Sequence, residues 1–333
     1  MGGLIEAAKQ KIWSISNEIV KAKPTPELKI GLVAFRDRGD AYVTKPFTLT
    51  DDIDTVYAHL MEFRADGGGD EPESVNEALA AAVHEMAWSQ EAGVLKLIFL
   101  VGDAPPHMDY PHDTRYPEVC QEAVKKGIII NTVQCGAIAG TATEWKKIAS
   151  LGEGHYVAIG QTGDVAVIST PMDKQLAELN SAIGKTLVPY GNAKDRQEVQ
   201  DKQLRSEAGF ADSASAPAVS DRLVYNLNTN RAVQGNNELV AEYQNDPRVL
   251  QKVTTKDLPP SLQNKTPAEI EAYLKQQQAA RIDLQKQIGE ISRQREQYLA
   301  DERKKQTETK DSFDDEVAKI LREEAANKGL TYK

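Results

Sequence analysis

Cysteine is nearly missing from this chain, at 2 of 333 residues. Two thiols cannot build a disulfide framework or a four-thiolate zinc site. No histidine neighbours Cys120 or Cys135 in sequence, so both read as buried, reduced side chains rather than as halves of a catalytic pair. Aromatic residues are few, at 6%, and mean hydropathy is −0.50, so the packed core is not expected to run the whole length. No apolar run approaches the roughly 20 residues needed to span a bilayer. The start shows no basic segment leading into an apolar stretch, the pattern of a secretory signal. Positive charge is not in excess either: 40 Lys and Arg face 50 Asp and Glu, for a net −10. That balance excludes broad binding to nucleic acid or to an anionic membrane.

What is present is an alternation of helical and strand patterns over the first 188 residues. Leu4, Ile5, Ala8, Ile12, Ile15 and Ile19 recur at three and four residues, the spacing of an amphipathic helix, and Pro24 and Pro26 close it. LKIGLVAFRD and AYVTKPFTLT read as strands joined through the Gly39-Asp40 turn. Residues 51–63 form a helix with acidic residues in its first turn, favoured by the helix dipole. A glycine-rich loop, GGGDEPES, leads into a helix near residues 72–88. LKLIFLV and IIINTVQC are near-continuous apolar runs, as expected of strands covered on both faces. Helices at 114–126, 143–151 and 171–188, with HYVAI as a last strand, complete the order. It predicts an α/β fold: a doubly wound, mostly parallel sheet with helices on both faces, followed by an α-helical C-terminal region.

Composition changes after residue 188. Residues 1–190 carry 17 basic and 26 acidic residues, a net −9, whereas the remainder is nearly neutral. Residues 189–265 read as a linker and irregular region, with the small, polar stretch EAGFADSASAPAVS at its centre. Residues 266–333 read as a helical arm. Thr266 with Glu269 makes a capping box, with Pro267 at the first helical position. Ile270, Leu274, Leu284, Ile288, Ile291 and Tyr298 fit a heptad seam that Gln277, Arg281 and Arg295 interrupt, the pattern of a weak coiled coil and of self-association through this arm.

Ligands of an open sheet sit beyond the carboxyl ends of its strands. Three loops fall there: RDRGD at 36–40, GGGDEPES at 67–74 and GDAPPHMDYPHD at 102–113. The carboxylates Asp70, Glu71, Glu73 and Asp103 suit a hard divalent cation, which takes oxygen ligands. Asp103 lies one glycine past a buried strand, where a lone carboxylate is costly unless paired or metal-bound; capping of the next segment is the alternative. His107, Asp109, His112 and Asp113 form a compact cluster that reads as a polar surface loop, since no distant third ligand is identifiable, or as a transition-metal or hydrolase centre. Arg38-Gly39-Asp40 matches an integrin-recognition triplet, but a tight turn explains it. GGGD lacks the Gly-Lys-Ser/Thr of a phosphate loop.

Taken as a set, LKIGLVAFRDRGD, GGGDEPESVNEAL and LVGDAPPH, in this order and spacing over residues 1–185, resemble the von Willebrand factor type A domain in its bacterial and hemicentin-like branch. The resemblance implies a central parallel sheet with a metal-ion-dependent adhesion site at its top. That site holds Mg²⁺ or a similar cation and is completed by an acidic group from a protein partner. It implies a non-enzymatic binding module with no membrane span, and export of the full-length form to the periplasm or beyond. Asp103 matches the family's last metal carboxylate, and Glu71, flanked by Asp70 and Glu73, stands where the family has a threonine. The alternative is a metal-dependent hydrolase using Asp103, His107 and Asp109.

The family's Asp-x-Ser-x-Ser stretch at the end of a first central strand has no counterpart, and Met1-Gly2-Gly3 stands where that stretch runs into the first helix. Loss of such a strand removes about five buried aliphatic side chains at roughly 1.5–3 kcal/mol each. The total is comparable with the whole stability of a domain, about 5–15 kcal/mol. The chain as it stands is therefore expected to fold poorly or aggregate, and to bind Mg²⁺ or another divalent cation weakly or not at all. Calorimetric titration with Mg²⁺ checks this, and micromolar affinity in a stable monomer would contradict it.

Overall fold

The computed structural model describes residues 2–65, 70–160, 168–212, 215–305 and 313–331. Three parallel strands, β3 (Lys96–Gly102), β4 (Ile128–Cys135) and β5 (Glu153–Ile159), form one sheet in the order β3-β4-β5. Two others, β1 (Ile30–Phe35) and β2 (Thr44–Thr50), pair antiparallel and make a separate two-stranded sheet. Among the described residues no strand joins β1 to β3. The mostly parallel reading therefore holds for β3–β5, and the turn at Gly39, with φ +95°, folds the first pair back on itself.

Strand parity explains how both faces of the β3–β5 sheet are covered. Ile98 and Leu100, Ile128 and Ile130, and Tyr156 point to one face. There they meet α3 (Val75–His84), α4 (Tyr116–Lys125) and α5 (Thr141–Leu151), through Leu79, Val119, Cys120, Trp145 and Ile148. Leu97, Phe99, Val101, Val133, Cys135, Val157 and Ile159 point to the other face. That face is closed by Ile15 and Ile19 of α1 (Gly2–Val20) and by Val317, Ile320 and Leu321 of α11 (Phe313–Ala326). The last helix thus lies on the sheet. Both cysteines are buried free thiols, and burial pushes each up to about 12.

Trp13, fully buried on α1, is a second node. Its ring lies 5.7 Å from Tyr57 on α2 (Ile53–Glu62) and 5.6 Å from Tyr225 on α8 (Ala216–Asn228). Around it Ile12, Ile53, Val56, Leu60 and Ala218 form a cluster that supports β1 from behind.

The segment read as an irregular linker is helical and packed. It forms α7 (Ala193–Ala211), α8 and α9 (Leu239–Asn245), with the Asn192–Asp195 capping box opening α7. The small residues that suggest a linker permit close packing instead: a Cβ on Gly209 would meet Val219 at 2.6 Å. Alanine is also the best helix former, and Pro217 falls in a first turn, where its missing N–H costs nothing.

The expected coiled-coil seam is likewise occupied within the chain. On α10 (Pro267–Lys305), Ile270 and Leu274 pack with Leu239, Val240 and Tyr243 of α9. Ile288 and Ile291 pack with Leu176, Leu179 and Ile183 of α6 (Asp173–Gly184) and with Leu223 of α8.

The charged residues that break the heptad are the specific contacts of this packing. Arg281, 1% exposed, bonds Glu238 at 2.8 and 3.2 Å and the Thr186 carbonyl at 3.0 Å. Arg295 bonds Asp221 at 2.8 Å. Between the halves, Arg222 holds Asp54 with two hydrogen bonds, Nε to Oδ1 at 2.5 Å and Nη2 to Oδ2 at 2.9 Å, and the Gln234 amide donates to the same carboxylate at 2.9 Å. Among the described residues no helix is long and apolar enough to cross a membrane.

Breaking a buried ion pair by removing one partner leaves an uncompensated charge. Arg222→Ala should destabilise the protein by about 3–5 kcal/mol, and Asp54→Asn should add little to that variant because both changes remove one interaction. Urea denaturation of the single and double variants measures both effects.

Candidate functional site

The ends of β1 and β3 and the residues leading into α3 converge at one end of the sheets. A cleft of about 510 Å³ opens there between the two sheets. Val33, Phe35, Phe63 and Trp145 form apolar walls, and Asp37, Asp40, Asp70, Glu73 and Asp103 supply carboxylates. Gly102 lets the Trp145 ring pack closely here, since a Cβ on it would stand 3.0 Å from that ring. The loops are tied together by backbone bonds, from the Glu73 amide to the Pro105 carbonyl at 2.9 Å and from the His107 amide to the Glu73 carbonyl at 3.0 Å. Asn76, buried on α3, locks the arrangement. It donates to the His107 carbonyl at 2.5 Å and accepts from the Tyr116 amide at 2.8 Å.

Within this frame His107 is 5% exposed. Its Nδ1 lies 2.8 Å from Asp109 Oδ1, while Nε2 lies 3.4 Å from Asp37 Oδ2 and 3.6 Å from Asp70 Oδ2. Nε2 makes no hydrogen bond. Asp37 is itself held by Tyr110, whose hydroxyl reaches both carboxylate oxygens at 3.0 and 2.9 Å, and by the Ser74 hydroxyl at 3.0 Å. The Tyr110 ring stacks on the imidazole, centroids 4.1 Å apart, and Arg38 lies over the same ring at 4.2 Å. Arg38 also pairs with Glu77, at 2.7 Å, and with Asp113. The RGD triplet is a turn whose arginine is engaged by its own protein.

The crowding of carboxylates shows in their titration. Burial, and then the charges of Asp37, Asp103 and Asp40, push the Glu73 carboxyl up to about 7. Burial pulls the His107 imidazole down, but the Asp109 hydrogen bond and the charges of Asp37, Asp109 and Asp70 outweigh it and the net displacement is upward.

Residues 1–170 match the family model of the von Willebrand factor A domain. This chain belongs to that family. No curated protein matches it. The von Willebrand factor A domain here combines its three-stranded parallel sheet and flanking helices with a helical C-terminal region.

Of the residues singled out from sequence, Asp70 joins the convergent group. Glu73 and Asp103 line the cleft behind it, with Glu73 Oε2 buried and unbonded. Glu71 is exposed, as is His112. Gly67–Gly69 of the glycine loop lie outside the described residues.

Among the described residues, the ligand atoms that come within 4.8 Å of one another belong to Asp37, Asp70 and His107. Two carboxylates and an imidazole are not the all-oxygen set that Mg²⁺ prefers. Sequence reading did not select Asp37, although its place two residues beyond β1 parallels that of Asp103 after β3.

Asn76→Ala strands two buried backbone groups and should cost about 1–3 kcal/mol for each. Asn76→Asp, which keeps the acceptor for Tyr116, should lose less. Denaturant titration of the two variants decides the order.

Proposed function

We propose that this von Willebrand factor A domain is a non-enzymatic protein-binding module. It engages its partner at the loop end of the sheets, where a divalent cation mediates contact with an acidic group of the partner. The supporting observation is the cleft itself, apolar in its walls and lined by five carboxylates. Arg36 and Arg64 also line it, so carboxylates outnumber arginines five to two, and Arg38 close by is committed to Glu77 and Asp113. Such an end repels a partner carboxylate unless a cation intervenes, so binding depends on both metal and loop carboxylates. The family supports a protein-interaction role.

A metal-dependent hydrolase using Asp103, His107 and Asp109 is the second reading. The His107–Asp109 contact favours it, since that geometry orients an imidazole for proton transfer.

The full chain, immobilised, should retain proteins from an extract of its source cells in the presence of divalent cations and release them to a chelator. Asp103→Ala and Glu73→Gln should reduce the retained amount at least about 10-fold, the scale of a lost charge-assisted contact. Lys125→Ala, on α4, should leave it unchanged. Equal retention by all forms would count against the loop end as the contact face, and metal-dependent turnover of a generic phosphoester that Asp109→Asn abolishes would favour the hydrolase.

A further inference from the structure

We infer that Asp37, Asp70 and His107 form a binding site for a borderline divalent transition ion of the Zn²⁺ class. The inference names an ion and a ligand set that differ from the oxygen-only adhesion site, and it does not require the protein-binding reading.

The argument begins with His107. Asp109 accepts from Nδ1 at 2.8 Å, so in the neutral ring the proton sits on Nδ1 and the lone pair on Nε2, where a metal ion can replace the second proton. That lone pair sits in a buried position, without a hydrogen bond, facing two carboxylates. Three electron-rich atoms so placed repel one another unless a positive charge lies among them.

A proton is a poor candidate. A charged N–H would draw one carboxylate to about 2.7–2.9 Å, yet Nε2 stands at 3.4 and 3.6 Å from the two. Those separations suit two edges of a coordination tetrahedron. With metal–ligand bonds of about 2.0–2.2 Å the edges are about 3.3–3.6 Å. Two carboxylates and a neutral imidazole also balance a doubly charged ion.

The surroundings are those of a metal centre as well. Metal-bound histidines almost always donate their other nitrogen to a carboxylate or carbonyl, and ligating carboxylates are in turn hydrogen-bonded. Asp109 does the first here, and Tyr110 and Ser74 do the second for Asp37. Asp70, with 66% of its side chain exposed, gives the site an open side through which an ion can enter. Imidazole in the set selects Zn²⁺, Co²⁺ or Ni²⁺ over Mg²⁺ and Ca²⁺.

The test is calorimetric titration of the chelator-treated full chain with Zn²⁺, with Co²⁺ as a visible-absorption probe of the geometry. One equivalent of Zn²⁺ should bind, with a Co²⁺ spectrum of tetrahedral type, and millimolar Mg²⁺ should not compete. His107→Ala should abolish binding. Asp70→Asn, an exposed change that leaves the fold intact, should weaken it by about 10-fold or more, and Asp109→Asn by roughly 10–100-fold. Glu178→Ala, exposed on α6, should have no effect. Unchanged Zn²⁺ affinity in Asp70→Asn, or displacement of Zn²⁺ by equimolar Mg²⁺, would overturn the assignment. Because no partner protein enters these measurements, their failure leaves the binding-module reading standing, and failure of partner capture leaves the metal site standing.

Discussion

The buried ion pair between Asp54 and Arg222 is the constraint on which the arrangement of the molecule depends. A guanidinium removed from water is stabilised only if a carboxylate meets it in the right geometry, since desolvation costs several kcal/mol per ion. Asp54 belongs to the helix beside the β1–β2 pair, and Arg222 to the helical second half. Bidentate contact, with Gln234 on the same carboxylate, fixes α8 against α2 within hydrogen-bond tolerance. Trp13 then packs between Tyr57 and Tyr225 on those same two helices, so α1 is clamped where the ion pair has set the spacing. Arg281 with Glu238 and Arg295 with Asp221 repeat the device along α10. The helical region is thereby part of the folded body rather than an arm beside it.

A contrast in charge follows from this architecture. In the body, the buried arginines Arg222, Arg281 and Arg295 are each matched with a carboxylate. At the loop end the balance is different: Asp37, Asp70 and Asp109 face one imidazole, Glu73 and Asp103 line the cleft beside Asp37 and Asp70, burial and neighbouring charges push Glu73 up to about 7, and Nε2 of His107 is left without a bond. Perturbed titration and unsatisfied buried atoms cluster at functional sites because the geometry there serves a ligand rather than the fold.

Much of the α/β part was legible in the sequence because its elements are bounded by strong local signals. IIINTVQC is a strand over its whole length, and Thr266 with Glu269 opens α10. The region from 189 to 265 was not legible. Its alanines, serines and glycine read alike for a solvated linker and for closely packed helices, and the difference is made by partners far away, such as Val219 against Gly209 and Asn180 against Ser206. Arg281 misled for a related reason. In an exposed coiled coil a seam arginine is a defect, whereas beside Glu238, 43 residues away in sequence, it is an anchor.

The candidate site divides in the same way. Sequence by itself determined which residue types stand after which strands, and so placed Asp70, Glu71, Glu73 and Asp103 in loops at the sheet end and grouped His107 with Asp109, His112 and Asp113. Hydrophobic periodicity, turn chemistry and strand order are sufficient for that, since each acts over a few residues. Only the tertiary structure decided that Asp37 faces His107 across some seventy residues of chain, and that Nε2 lies near two carboxylates without a hydrogen bond to either. Such a meeting depends on the register of β1 with β2, the tie between Glu73 and Pro105 and the lock at Asn76, and these are distances in space that no spacing in sequence encodes.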